Sequence, residues 1–174
     1  MKKTKLIATI AVLTALYFVL SALLKIPVVG NITLDLGYIV LAVSAVYLGA
    51  VPAMLIGSIG AFLESALMSQ RGVSPGWIMM NAIVGLLCGL VLHKAVEGNK
   101  KKFLILAVLI IVSSVLLGVI VKTLIDCAMY DIALAAKIPS STAAWILDSL
   151  VMLVPGIPLS LALKKRLGGS TEKK

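Results

Sequence analysis

Glu64, Lys122, Asp126 and Asp148 are the ionisable residues set within, or at the edge of, the long apolar stretches of this 174-residue chain. A charged side chain in mid-bilayer costs about 2.5–3.5 kcal/mol on insertion scales, so each such residue reads first as functional. Carboxylates accept hydrogen bonds from amines, amides and hydroxyls, and a lysine can meet an anionic group. Glu64 fits a ligand contact or a structural ion pair with Lys122, and the two roles are compatible. Lys122 and Asp126 stand four residues apart on one helix face, a spacing that serves an intrahelical pair as well as a ligand. Asp148, about two turns inside its segment, is the deepest acid on the outside half and the first choice for a pocket. Trp77 and Trp145 open two apolar segments, where they anchor at a membrane interface or stack on a flat ligand. Asn81, one turn beyond Trp77, needs partners from a neighbouring helix or from a ligand. Asp35 and Arg71 lie in connecting segments, as solvated loop charges or as the rim of the pocket.

Composition decides the medium. The chain is 61% hydrophobic and 13% charged, with mean hydropathy +1.14. A soluble globular domain is about 45–50% apolar and about 25% charged. The polar surface is too small to coat a water-soluble globule, and a bilayer-embedded helical bundle resolves the mismatch. The net charge of +9 does not point to nucleic acid, because the basic residues flank apolar segments instead of forming a stripe. Cys88 and Cys127 lack metal-ligand spacing and read as small buried residues. There is no GxxxxGK[ST] phosphate loop, so this chain is not itself an ATPase. His93 is the single histidine, which argues against a multi-histidine metal site. No catalytic constellation and no metal site is expected.

The elements that must position these residues are membrane spans of about 17–25 residues. Spans are expected over 6–24, 77–92, 103–125 and 142–163. The stretch 34–68 would reach about 50 Å as one helix, against a hydrocarbon core of roughly 30 Å. Gly49-Ala50-Val51-Pro52 interrupts it, and proline disfavours helix continuation. Two short spans over 36–50 and 52–68 follow. A re-entrant hairpin there would preserve the same parity.

Charge supports the split. Twelve of the sixteen Lys and Arg fall in three clusters: Lys2, Lys3 and Lys5; Lys94, Lys100, Lys101 and Lys102; Lys164, Lys165, Arg166, Lys173 and Lys174. Six crossings put all three on one side, as the positive-inside tendency requires. The expectation is an all-α, six-transmembrane-helix bundle with both termini cytoplasmic, and the first apolar segment reads as a retained helix. The outer loops are then Lys25–Gly37, Ser69–Gly76 and about Cys127–Ser141. The first of these is long enough to close over a pocket as a lid. Residues 1–167 form one domain, and 168–174 a polar disordered tail.

Small residues mark helix contacts. Ala8, Ala11, Ala15 and Ala22 share a face of the first helix, and Gly85 and Gly89 form a GxxxG pair that suits packing within the bundle.

Three segments carry a family resemblance. Ala11-Val-Leu-Thr-Ala15 is similar to an AxxxA motif on a first helix. Leu34-Asp-Leu-Gly37, followed by an apolar span ending in Tyr47-Leu-Gly49-Ala-Val-Pro52, is similar to a loop leading into a helix closed by a leucine–glycine–proline-type turn. Ser74-Pro-Gly-Trp77, leading to Asn81 and Gly85, is similar to the proline–glycine–aromatic entry of a fourth helix. With length and topology, these resemble the substrate-binding (S) components of energy-coupling factor vitamin transporters. The resemblance covers most of the chain and does not fix the ligand. It implies a multi-pass protein of the bacterial cell membrane that captures a water-soluble vitamin or precursor from outside, under closure of the first outer loop. It also implies docking of Ala8, Ala11 and Ala15 on a transmembrane coupling subunit. Two cytosolic ATPases would use the ATP, and no cofactor is expected in this chain. The competing readings are a membrane enzyme using Glu64 and Asp148 on a lipid or peptide, a self-sufficient ion-coupled carrier, and a scaffold subunit without a ligand.

Overall fold

The computed structural model describes residues 3–24, 26–29, 32–68 and 72–168. Helix α1 (Lys3–Leu23) leads into a short antiparallel hairpin, β1 (Ile26–Val29) and β2 (Ile32–Leu34). Helices α2 (Gly37–Leu48), α3 (Ala50–Met68), α4 (Pro75–Ala95) and α5 (Lys100–Tyr130) follow. A last rod runs as α6 (Leu134–Val151), a π-turn (Met152–Gly156) and α7 (Ile157–Gly168). Five apolar stretches, the last running Leu134–Lys164 through the π-turn, are long enough to cross a membrane. The chain is an all-α membrane protein whose bundle has six rods, the hairpin being its one departure from helix among the described residues.

Local sequence explains the boundaries. Gly49 takes φ 83°, a left-handed value that suits glycine, and splits the 34–68 stretch at the expected place. Helix α2 has 12 residues. At 1.5 Å per residue it covers about 18 Å, well short of a full crossing. Ser74 caps α4, its side chain accepting from Trp77 N, and Pro75 occupies the first turn, where its missing N–H costs nothing. Asn99 caps α5 in the same way, accepting from Lys101 N.

The third outer connection departs from expectation. Instead of a loop over 127–141, α5 runs on to Tyr130 and α6 begins at Leu134. Asp131 ends α5 in a left-handed cap (φ 52°), so the turn is only Asp131–Ala133. Pro139, a helix breaker on paper, lies inside α6. The tail residues 169–174 lie outside the described residues.

Packing fixes which ends share a side. Tyr17 of α1 lies against Gly60 of α3, and Ser21 against Glu64, so the two helices run parallel. The Lys3 end of α1 therefore lies with the Gly49 turn. His93 packs on Gly49 and its Nδ1 is 3.0 Å from the Val46 carbonyl oxygen. Lys164 Nζ donates to the Val96 carbonyl. The N-terminal lysines, the α4–α5 connection and α7 thus gather at one basic end.

Helices α3 and α4 approach closely, backbone to backbone. A Cβ at Gly85 would sit 2.6 Å from the Ala53 carbonyl oxygen, and one at Gly89 2.5 Å from Ala50 Cα. The GxxxG pair accordingly serves contact inside the bundle. Ala8, Ala11 and Ala15 are exposed on α1.

Candidate functional site

At the end opposite the lysines, buried polar side chains from four elements converge. Ser21 of α1 sits at their centre. Its hydroxyl is 2.7 Å from Asp35 Oδ2 and 2.8 Å from Glu64 Oε2, so one proton is shared between two carboxylates. Gathering like charges in this way is costly unless donors complete the set. Trp77 Nε1 donates to Glu64 Oε2 at 2.9 Å, and the Gly37 amide donates to Asp35 Oδ1 at 2.8 Å.

A second chain of contacts lies beside the first. Tyr17 Oη donates to Asn81 Oδ1 at 2.8 Å, and Asn81 Nδ2 donates to the Trp77 carbonyl at 2.9 Å. Gly60 makes this possible, because a Cβ there would lie 2.3 Å from the Tyr17 ring. Tyr38, on the first turn of α2, meets Trp77 edge-on, with ring centroids 6.2 Å apart. Lys122 Nζ lies 5.4 Å from the Trp77 ring centroid, within cation–π range.

The hairpin explains how a loop residue reaches this depth. Asp35 follows β2 directly and is 3% exposed. Its bond to Ser21 places it level with Glu64, inside the end of the bundle rather than above it. The β2 strand also packs on α6, which carries Asp148. Asp148 is 3% exposed and acts electrostatically on Tyr17 and Tyr38.

The sequence candidates sort by position. Asp35, Glu64, Trp77 and Asn81 share the hydrogen-bonded group around Ser21 and Tyr17. Asp148 faces it from α6, and Lys122 reaches it through the Trp77 ring. Asp126 points elsewhere: Lys137 of α6 holds it at 3.1 Å and Lys122 lies 3.8 Å away. Its Oδ1 faces Gly76 at the start of α4. This makes Asp126 a clasp between α5 and α6, packed beside the start of α4. Trp145 donates through Nε1 to the Val112 carbonyl at 3.0 Å and lines a groove of about 370 Å³ between α5 and α6, with Ile120, Leu124 and Ile138. Arg71 lies outside the described residues. Tyr17, Ser21 and Tyr38 were not singled out from sequence. Tyr17 and Ser21 carried a signal, being polar residues four apart on an otherwise apolar helix, which puts them on one face.

Buried acids, a serine, one lysine and an indole converge here. Such a set can bind a small polar molecule through donors and acceptors.

The family model described as "ECF-type riboflavin transporter, S component" matches residues 1–165. The chain belongs to this family. S components are transporter subunits rather than enzymes. The sequence resemblance reached the S components without a riboflavin signature, and the family match supplies that name. A "UPF0397 protein" of Streptococcus thermophilus (strain ATCC BAA-491 / LMD-9) is 30% identical over 76 residues, 44% of this chain and 41% of that protein. A "UPF0397 protein" of Onion yellows phytoplasma (strain OY-M) is 32% identical over 96 residues, 55% of this chain and 49% of that protein. The chain thus matches about half or less of the length of these curated relatives. No solved structure matches it.

Proposed function

We propose that this S component is the substrate-capture subunit of an ATP-driven importer in the bacterial cell membrane. It binds a water-soluble vitamin or vitamin precursor in an outward-facing pocket under the first outer loop. The single observation that carries this reading is the Ser21 junction. It ties Asp35, at the foot of the hairpin, to Glu64 and Trp77 in the bundle. A lid latched by the same groups that line the pocket closes over a ligand bound to them. The basic end faces the cytoplasm by the positive-inside tendency, so the junction faces outward.

The partners follow from the family. A transmembrane coupling subunit docks on the Ala8, Ala11 and Ala15 face, and two cytosolic ATPases use the ATP. Riboflavin, in the family's name, is the first ligand to test. Its ribityl hydroxyls and ring N–H suit carboxylate acceptors, and its flat ring suits Trp77 and Tyr38.

The test is uptake of labelled riboflavin, thiamine, pantothenate and folate by cells lacking their own importers. Uptake of one compound is expected when the chain is expressed with a coupling subunit and two ATPases, and is lost when the ATPases carry inactive phosphate loops. Equal uptake without working ATPases would indicate a self-sufficient carrier and reject the proposal.

A further inference from the structure

We propose that Tyr38 and Ser149 are ligand contacts, forming with Asp148 a second polar subsite on the α2–α6 side of the pocket. This rests on the capture reading above. Among the described residues, three buried side-chain atoms have no hydrogen-bond partner: Tyr38 Oη, Ser149 Oγ and Asp126 Oδ1. Native interiors keep few such atoms, and each calls for an explanation. Asp126 has one, since Lys137 and Lys122 hold its other oxygen.

The two hydroxyls have no such account. Tyr38 is 0% exposed and Ser149 6% exposed, so both are shielded from bulk water. A buried serine in a helix has an easy remedy, which is to bond back to the carbonyl four residues earlier. Ser44, Ser65 and Ser160 all do so, at 2.7, 2.8 and 2.8 Å. Ser149 does not take this bond. It follows Asp148 directly and lies just before the π-turn Met152–Gly156. Single π-turns inserted in α-helices recur at functional sites, because they reposition side chains.

Tyr38 points to the same place. Its ring lies edge-on to Trp77, which binds Glu64. Its hydroxyl is within electrostatic reach of Asp148, and also of Tyr17, Asp35 and Glu64. Helix α2 packs on α6 and on the π-turn, whose Gly156 lies against Ile39 and Ala42, so Tyr38 on the first turn of α2 lies between Trp77 and the turn that follows Ser149. A carboxylate acceptor, a phenol donor and a serine that can do either would hold a group that both donates and accepts. An alcohol or the edge of a cyclic amide or imide has that chemistry.

The test compares wild type, Tyr38→Phe and Ser149→Ala, each removing one oxygen. All three are purified in detergent from the same rich medium. Small molecules retained per protein are counted by mass spectrometry, and riboflavin is titrated into the emptied proteins by its own fluorescence. Each variant is expected to retain less compound and to bind about tenfold more weakly, as for a lost hydrogen bond. Its thermal midpoint without ligand should stay level or rise, because an unpartnered buried polar atom has been removed. Equal binding in all three proteins would overturn the subsite and leave the capture reading standing. A lower midpoint with weaker binding would assign the hydroxyls to the fold and also overturn it. A wild type that retains nothing and binds none of riboflavin, thiamine, pantothenate or folate would reject the capture reading, and the subsite with it.

Discussion

Replacing Glu64 with glutamine is expected to weaken ligand binding about tenfold to a hundredfold while the protein still folds. Glu64 Oε2 accepts from both Ser21 and Trp77, which makes it the meeting point of α1, α3 and α4 at the pocket. Glutamine keeps the size and one acceptor oxygen, so helix packing is retained. It loses the charge and brings an amide donor to a place built from donors. Hydrogen bonds to charged groups contribute about 1.5–3 kcal/mol, and about 1.4 kcal/mol is a tenfold change in affinity. Asp148→Asn is expected to act in the same direction from the α6 side, because Asp148 is buried on α6, which packs on β2 and α2. The checks are riboflavin titration, the amount of compound retained per protein, and thermal stability in detergent. Unchanged affinity in both variants would remove the two acids from the site.

Ala11→Trp should leave binding intact and abolish assembly with the coupling subunit. Ala8, Ala11 and Ala15 are exposed on α1, away from the face that carries Tyr17 and Ser21. A tryptophan at Ala11 projects a large ring from a surface where small residues allow close helix approach. Nothing inside the bundle moves to accommodate it, so capture is spared. Co-purification of the ATPases and coupling subunit with a tagged chain measures the effect. Recovery at the wild-type level would place the docking face elsewhere.

Much of this was legible in the sequence because the bilayer leaves few options. Backbone groups in lipid must pair within helices, so apolar length and charge placement define the rods. Gly49 and Pro52 located the break between α2 and α3, and Ser74-Pro75 located the start of α4. Buried ionisable residues marked the polar end of the bundle for the same reason: in lipid, charge without a role is costly. The α5–α6 turn was missed because Lys137, Pro139, Ser140 and Ser141 look like loop, whereas α6 carries them as a helix that extends past the apolar run. The pairing of Asp126 with Lys137 was not legible, because Lys137 is eleven residues away in sequence and adjacent only after that turn forms. Ser21 and Tyr38 were missed for a different reason. A serine or tyrosine in an apolar helix carries no cost large enough to stand out, and its importance lies in what the fold brings to it.

The central claim is that this chain captures a small vitamin-class molecule. The most direct test is mass spectrometry of the small molecules released from detergent-purified protein expressed without its partners. One vitamin-class compound at about one per chain is the expected result. Preparations from rich and minimal media that carry no compound, and that bind none of riboflavin, thiamine, pantothenate or folate on titration, would contradict it.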